Sequence, residues 1–218
     1  MVRLSLRWYG FSYQVQIICV LELVFILSII IISKLKPCVN HGKHRKRGLN
    51  FMKELNMIQA TNLTSPNPLM LICSENQDGT TNLAPICFAC YLSFNPPMIG
   101  FATGKQSHTG KRVRETGKAI VTVPGESLAQ VVMACGGSTG ATTNKVAENH
   151  MEMVPVEGSP IQIPADTRLA MVATLKQSVE AGDHILHICQ VDKFLGDERK
   201  KGLYAWNGFG KVAPAVEG

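Results

Sequence analysis

The chain has 218 residues, 45% hydrophobic and 17% charged, with a formal net charge of +6. That length suits one domain with an appendage, because a single core is commonly served by about 100–200 residues. The basic balance would point to a nucleic acid or a membrane surface if it were spread along the chain, and it is not. Eight of the 22 Lys/Arg (Arg3, Arg7, Lys34, Lys36, Lys43, Arg45, Lys46 and Arg47) but only one of the 16 Asp/Glu, Glu22, fall in residues 1–51, leaving 14 basic and 15 acidic residues for 52–218. The main domain therefore lacks the cation excess of a nucleic-acid footprint. Seven cysteines, at positions 19, 38, 73, 87, 90, 135 and 189, are odd in number and irregular in spacing. They fit a reducing, cytoplasmic setting better than a disulfide framework.

Residues 15–33 are almost wholly apolar and, at 19 residues, about long enough to cross a bilayer as a helix. Glu22 opposes this by on the order of 2.5–3.5 kcal/mol on insertion scales, which the surrounding Ile, Leu, Val and Phe could offset. The six basic residues from Lys34 to Arg47 follow the span and would hold the rest of the protein on the cytoplasmic side. We read residues 1–51 as an N-terminal extension with a possible membrane tether, and 52–218 as the main domain. The abrupt change in composition is equally accounted for if translation begins at Met52 or Met57 and the extension is no part of the native protein.

Within the main domain, residues 69–74 predict a short buried strand, and Asp78-Gly79 is a turn signal before an extended run resumes at Thr80-Thr81. Together they predict a hairpin. Pro85 marks the second strand as bent or at a sheet edge. Asn95-Pro96-Pro97 forms a rigid connection into an apolar strand over 98–103. Between 105 and 117 the pattern becomes helical, with Ser107 and Thr109 as start residues, a charged run from Lys111 to Glu115, and Gly117 as a stop. A strand over 119–123 ends at Pro124. A second helix over 127–135 closes on Gly136-Gly137, and 138–164 is loop-rich. Residues 167–178 and 184–191 are partly alternating runs joined by 179–183, which predicts a long antiparallel hairpin. Many short strands with few helices indicate a mainly β fold. Closure into a barrel removes the edges that an open sheet would expose.

Several motifs invite chemistry. The loop 104–111 offers hydroxyls at Ser107 and Thr109, charge at Lys105 and Lys111, and the unpaired N–H groups of a helix start, which together suit an anion. The same residues would also serve as an ordinary capped surface helix. Asn82, Leu83 and Ala84 follow a turn, with the Asn82 amide available for hydrogen bonding or for the turn itself. Cys87 and Cys90 form a C-x-x-C, but no second ligand pair accompanies them, and positions i and i+3 of a strand face opposite ways. We read both as small core fillers, with Cys87 near the site. Gly136-Gly137-Ser138-Thr139-Gly140 lacks the Gly-Lys-Ser/Thr ending of a P-loop and follows a helix, so it reads as a helix cap and loop. No G-x-G-x-x-G is present. Any nicotinamide nucleotide would be held without a Rossmann domain.

In order, Asn82-Leu83-Ala84-Pro85, Asn95-Pro96-Pro97, Gly104-Lys105-Gln106-Ser107-His108-Thr109 and Gly182-Asp183-His184 resemble the signature of flavin reductase-like proteins, most closely the flavoredoxin subgroup. The resemblance runs from about residue 66 to 214, includes Tyr204-Ala205-Trp206, and leaves 1–51 unmatched. It implies a Greek-key split β-barrel with short helices, homodimeric and FMN-binding. NADH or NADPH would then pass hydride to flavin N5; alternatively, tightly bound FMN would relay electrons from a protein partner, as in flavoredoxin. A third reading, a membrane-tethered protein using the barrel only as a dimerising scaffold, would need an empty flavin site.

Carried over by position, Asn82, Leu83, Ala84 and Cys87 would line the flavin. Gly104, Lys105, Ser107, His108, Thr109 and Lys111 would hold its phosphate side, and His184 would help accept the nicotinamide nucleotide. The resemblance singles out no catalytic residue and implies no metal. Two departures stand out. Cys87 occupies a position that is Ser in many relatives, and His187-Ile188-Cys189-Gln190 replaces a Gly-Glu, a change that bears on nicotinamide use more than on flavin binding.

Overall fold

The computed structural model describes residues 52–215, so the expected span at 15–33 and the basic stretch after it lie outside the described residues. Helix α1 (Met57–Leu63), which the sequence pattern did not signal, starts on a reciprocal cap: Gln59 N–H donates to Asn56 Oδ1 (2.9 Å) and Asn56 N–H to Gln59 Oε1 (3.1 Å). Strands β1 (Met70–Glu75) and β2 (Thr81–Ile86) form the expected hairpin, with the Asp78 carboxylate accepting from Thr80 N–H in the turn. A strand that the sequence reading passed over, β3 (Ala89–Phe94), pairs with β4 (Pro97–Gly104) across the Asn95-Pro96 turn. Helix α2 (His108–Thr116) begins on Ser107 and ends on Gly117, whose φ of 69° is the left-handed conformation that glycine adopts without penalty.

Strand β5 (Lys118–Pro124) leads through a 3₁₀ turn, Glu126–Leu128, into α3 (Ala129–Gly136), which thus starts two residues later than expected. The loop-rich stretch that follows contains the short helix α4 (Lys145–Glu148) and a two-residue ribbon, β6 (Met153–Val154) with β7 (Ile163–Pro164). The long hairpin exceeds the predicted lengths: β8 (Thr167–Ala181) and β9 (His184–Gly196) turn through Gly182-Asp183 alone, with Gly182 at φ 62°. The residues expected to join the strands continue the ladder, Val179 opposite Leu186 and Ala181 opposite His184. Strands β10 (Leu203–Trp206) and β11 (Lys211–Pro214) close the fold.

The order of the main sheet is β2-β1-β5-β8-β9-β4-β3, with every pair antiparallel. Its two edge strands, β2 and β3, are joined by only two residues, Cys87 and Phe88. Seven strands laid flat would separate those edges by about 29 Å, whereas the link spans roughly 10 Å at full extension. The sheet must therefore curl until its edges meet. Because β2 and β3 share no ladder, closure leaves a seam, and the result is a split β-barrel. Pro85 lies in edge strand β2, where its missing N–H costs no internal bond.

Alternation along the strands then fills two cores. Met70, Ile72, Ile99, Phe101, Val121, Met171 and Cys189 face the barrel interior, and Val113 of α2 packs with them as a plug. Leu71, Cys73, Leu83, Ile120 and Ala170 face outward against Val132 and Cys135 of α3 and against Val156 and Ile161. β1 is buried on both faces, which explains its continuous apolar run.

A buried histidine sits among the interior residues. His187 of β9 is 0% exposed, its Nε2 lies 3.0 Å from Thr103 Oγ1 and its Nδ1 3.2 Å from Ser178 Oγ. Burial, helped by the nearby Arg114 cation, lowers its pKa to about 4. An unfolded chain would protonate this histidine near its ordinary pKa of about 6.5, so stability falls as pH drops from about 6.5 towards 4, by at most on the order of 3 kcal/mol. Urea unfolding of the full chain and of His187→Gln at pH 7 and 4.5 tests this. The wild type is expected to lose more stability over that interval than the variant.

Candidate functional site

The seam is also where the chain leaves room. Pro85, Ile86, Cys87 and Phe88 form one wall of a cavity of about 510 Å³; Val132, Met133 and Gly136 of α3 form another. Ala102 and Gly104 at the end of β4, His184 at the head of β9, and Phe209 and Val212 from the last hairpin complete it. Its lining is predominantly apolar and includes a small aromatic cluster. The Phe88 ring lies 5.3 Å from that of His184 and 5.8 Å, edge-on, from that of Phe209. Phe209 is held at φ 81°, a left-handed conformation that a bulky side chain rarely adopts and that concentrates at functional sites.

A second cavity of about 300 Å³ shares Pro85 and Gly136 with the first and has a different character. Gln106, Ser107, His108 and Thr109 from the start of α2 face Ser138, Thr139 and Gly140, with Ala84 and Lys145 between them. Ser107 Oγ accepts from Gly110 N–H (3.3 Å), and the first-turn N–H groups of α2 give this end a partial positive charge. Gly110 belongs to the same packing: a Cβ there would collide with Thr103 Oγ1, so the helix start sits directly against the Thr103–His187 pair.

Asn82 fixes the floor. It is 2% exposed, its Nδ2 donates to Thr109 Oγ1 (2.8 Å) and Ser74 Oγ (3.2 Å), and its Oδ1 has no partner. The orphaned oxygen abuts Gly140, where any Cβ would collide with it. Leaving such an acceptor unmet costs about 1–3 kcal/mol, which a ligand donor or a water would offset. His108 donates through Nε2 to Asn76 Oδ1 (2.9 Å), the tautomer being assigned from that partner. Burial and then the cations of Arg112, Lys111 and Lys145 hold its pKa below the ordinary value, so the ring is neutral at pH 7.

Lys145 was not singled out from the sequence. Its side chain is 4% exposed, and Nζ donates to the carbonyls of Leu83 (2.9 Å) and Cys135 (2.7 Å). Burial lowers its pKa. Nothing in Asn144-Lys145-Val146 distinguishes this lysine from a solvated loop residue until the fold folds that loop over α3.

The residues expected to form a site are thus partly gathered. Cys87, Gly104 and His184 line the apolar cavity, and Ala84, Ser107, His108 and Thr109 the polar one. Asn82 and Leu83 lie behind the walls, Leu83 contributing its carbonyl to Lys145. Lys105 and Lys111 line neither cavity, because each turns outward to a carboxylate: Lys105 to Glu180 (2.9 Å) and Lys111 to Glu115 (3.8 Å). His187 and Cys189, the departure after Gly-Asp-His, also point away from both cavities into the barrel. Ser138, Thr139 and Gly140 do more than cap a helix, since they form one side of the polar cavity.

The cysteine reading needs one correction. Cys87 is half-buried beside the outer core, with its thiol pushed up to about 11 by burial, but Cys90 is exposed rather than a core filler. The backbone at the seam turns between them, so strand alternation does not apply across 87–90. Among the described residues no group of three His, Cys, Asp or Glu could hold a metal ion.

The apolar cavity suits a flat ring system and the polar cavity an anion. Residues 63–213 match the family described as flavin reductase like domain. A protein of Archaeoglobus fulgidus is 30% identical over 111 residues, 47% of this chain and 62% of its own length. The chain spans about half to three-fifths of the curated relatives it matches. The fold is similar to that of flavoredoxin from Desulfovibrio vulgaris, with a TM-score of 0.65 at 18% identity over 77% of this chain and 95% of that one. It is also similar to the NADH:FAD oxidoreductase SgcE6 of Streptomyces globisporus, with a TM-score of 0.66 at 13% identity over 76% and 99%.

The packing of Gly140 on Asn82 is directly testable. Gly140→Ala is expected to lower unfolding free energy by about 1–3 kcal/mol, the usual cost of overpacking. An unchanged denaturation midpoint would show that the 138–140 loop does not rest on Asn82.

Proposed function

Because this chain belongs to the flavin reductase like domain family, we propose that it is an FMN-binding oxidoreductase that takes electrons from NADH or NADPH. The observation that carries this reading is the junction of an apolar cavity with an anion-suited one through Pro85 and Gly136. FMN would supply the redox chemistry, its ring accepting hydride at N5 from a nicotinamide. The protein's own part is to bind, orient and shelter.

In this reading Cys87 and Gly104 flank the ring, and the uncharged Cys87 thiol keeps that wall apolar. Asn82 orders Thr109 through its amide, while Ser107, His108 and Thr109 present hydroxyl and N–H donors to the phosphate. In the same reading His184, whose ring lies tilted 5.3 Å from that of Phe88, would help accept the nicotinamide nucleotide. Lys105 and Lys111 act on the phosphate only at a distance, because their charges are met by Glu180 and Glu115. We further take residues 52–218 as the working domain, acting in the cytoplasm. Among the described residues no helix is long and apolar enough to cross a membrane.

A homodimer belongs to the same proposal. Edge strand β3 exposes Tyr91, Leu92 and Phe94, the last at 98%, and β9 exposes Phe194. Apolar side chains along an unpaired edge are the features a partner copy would cover. Sedimentation of the full chain should give a dimer, and Phe94→Glu a shift towards monomer.

Anaerobic addition of NADH and NADPH to the FMN-loaded full chain separates the two redox readings. Loss of the oxidised-flavin absorbance at catalytic rates is the expected result for a reductase. A flavin that stays oxidised with both nucleotides, yet is reduced by dithionite, would identify an electron carrier served by a protein partner. Gly104→Ala probes the ring wall in particular. A Cβ at Gly104 meets nothing within 4 Å, so stability should change by less than about 0.5 kcal/mol while FMN binding weakens. Unimpaired FMN binding by this variant would move the ring away from Gly104.

A further inference from the structure

We propose that Phe209 gates the apolar cavity and that Asn62 of α1 is the positioning residue that keeps it there, so that the segment 57–67 sets how fast a flavin enters and leaves. The inference rests on the FMN reading above and extends it to residues outside the family-like motifs.

Three consecutive residues in the turn between β10 and β11 are left-handed: Asn207 at φ 52°, Gly208 at 59° and Phe209 at 81°. Asparagine and glycine adopt that region readily, and a bulky aromatic residue does not. Such strain persists only where the surroundings over-determine it. Here the strained residue carries a ring that meets Phe88 edge-on at 5.8 Å. Both rings line the cavity, yet Phe88 is exposed and Phe209 only half-buried, which places the pair at the rim. Phe88 comes from the link between β2 and β3 and Phe209 from the last hairpin, so the two are free to part. A flat ligand entering between them must separate the rings.

What holds the turn is α1. A Cβ on Gly208 would stand 2.5 Å from Asn62 Oδ1 and 2.9 Å from Thr61 Oγ1, so the turn rests directly on the end of that helix. No residue of α1 is buried, and Met57, Ile58 and Leu63 are exposed. Apolar burial therefore does not account for a helix of seven residues, a length that is marginal in water by itself. Its anchors are polar and lead to the same hairpin. Asn67 N–H donates to Ala205 O (2.8 Å), Ala205 N–H donates to Asn67 O (3.0 Å), and Asn67 Nδ2 reaches back to Thr61 O (3.1 Å). Ala205, Phe209 and Val212 of that hairpin all line the cavity. Segment 57–67 is thus a strap that grips the hairpin twice, on the strand before the gate and at the turn that carries it.

For the full chain, FMN association and dissociation rates are measured by stopped-flow fluorescence in wild type, Phe209→Gly and Asn62→Ala. Glycine suits φ 81° and Asn62 is exposed, so neither change threatens the fold. A gate slows entry and exit alike, so both rates are expected to rise roughly 10-fold in Phe209→Gly while Kd stays within about threefold. Asn62→Ala is expected to raise both rates by roughly threefold, because it loosens the gate without removing it. A rise in dissociation alone would make Phe209 a ligand contact and overturn the inference, as would unchanged rates in either variant. A wild type that takes up no FMN would overturn the flavin reading, and the gate with it. Amide hydrogen exchange without flavin tests the strap by itself. In Asn62→Ala the amides of Ala205 and Gly210 are expected to exchange faster than in wild type, with that of Val121 in the barrel unchanged. Unaltered exchange at 205 and 210 would contradict the role assigned to Asn62.

Discussion

The constraint on which the rest of this structure depends is the two-residue link, Cys87-Phe88, between opposite edges of a seven-stranded sheet. It forces the sheet to close, and because the edges meet without a ladder, closure leaves a gap in the wall. The hydrophobic interior is sealed at one end by Val113 of α2. The seam is flanked by α3 and by the last hairpin, and the apolar cavity lies between them. Fold and site thus share one cause. A continuous ladder between β2 and β3 would strengthen the barrel and remove the place where a ring could lie.

The polar half of the site follows from how the ends of β2 and β4 are held. β4 delivers Gly104 and the α2 cap to one side, and β2 delivers Asn82 and the Leu83 carbonyl to the other. Asn82 joins the two sides through Thr109, and Lys145 joins β2 to α3. Behind them the buried His187 links β9 to Thr103 and presses on Gly110. These polar groups cost desolvation, and they would be poor choices for stability alone. In the proposed reading they would hold hydrogen-bond donors in fixed positions before a ligand arrives, which is the condition for tight binding at little entropic cost.

Much of the fold was legible because local signals and burial agreed. Asp78-Gly79 marked the first hairpin, Ser107 and Gly117 bracketed α2, and the alternation after Thr167 marked the long hairpin. The missed strand β3, Ala89-Cys90-Tyr91-Leu92-Ser93-Phe94, is exposed along much of its length, so no buried face shows in its pattern. The extra length of β8 and β9 is likewise solvent-facing, with Glu180 and Ala181 paired by the backbone although their side chains carry no core signal. For the candidate site, Ser107, Thr109 and His184 were singled out from local motifs, and they line the two cavities. Lys145 was not, because its role arises from contacts with Leu83 and Cys135, 62 and 10 residues away, that no local pattern encodes. Conversely, Lys105 and Lys111 looked apt as cations, but their carboxylate partners turn them outward.

The claim at the centre of this account is that one ligand spans both cavities, ring at the seam and phosphate at the start of α2. It is tested most directly by competition against FMN bound to the full chain. Lumichrome, which carries only the ring system, and ribitol 5-phosphate, which carries only the tail, are added singly and together, with displacement read from flavin fluorescence. The account predicts that each displaces FMN and that the two bind side by side without excluding one another. Failure of either to compete, or mutual exclusion between them, would contradict it.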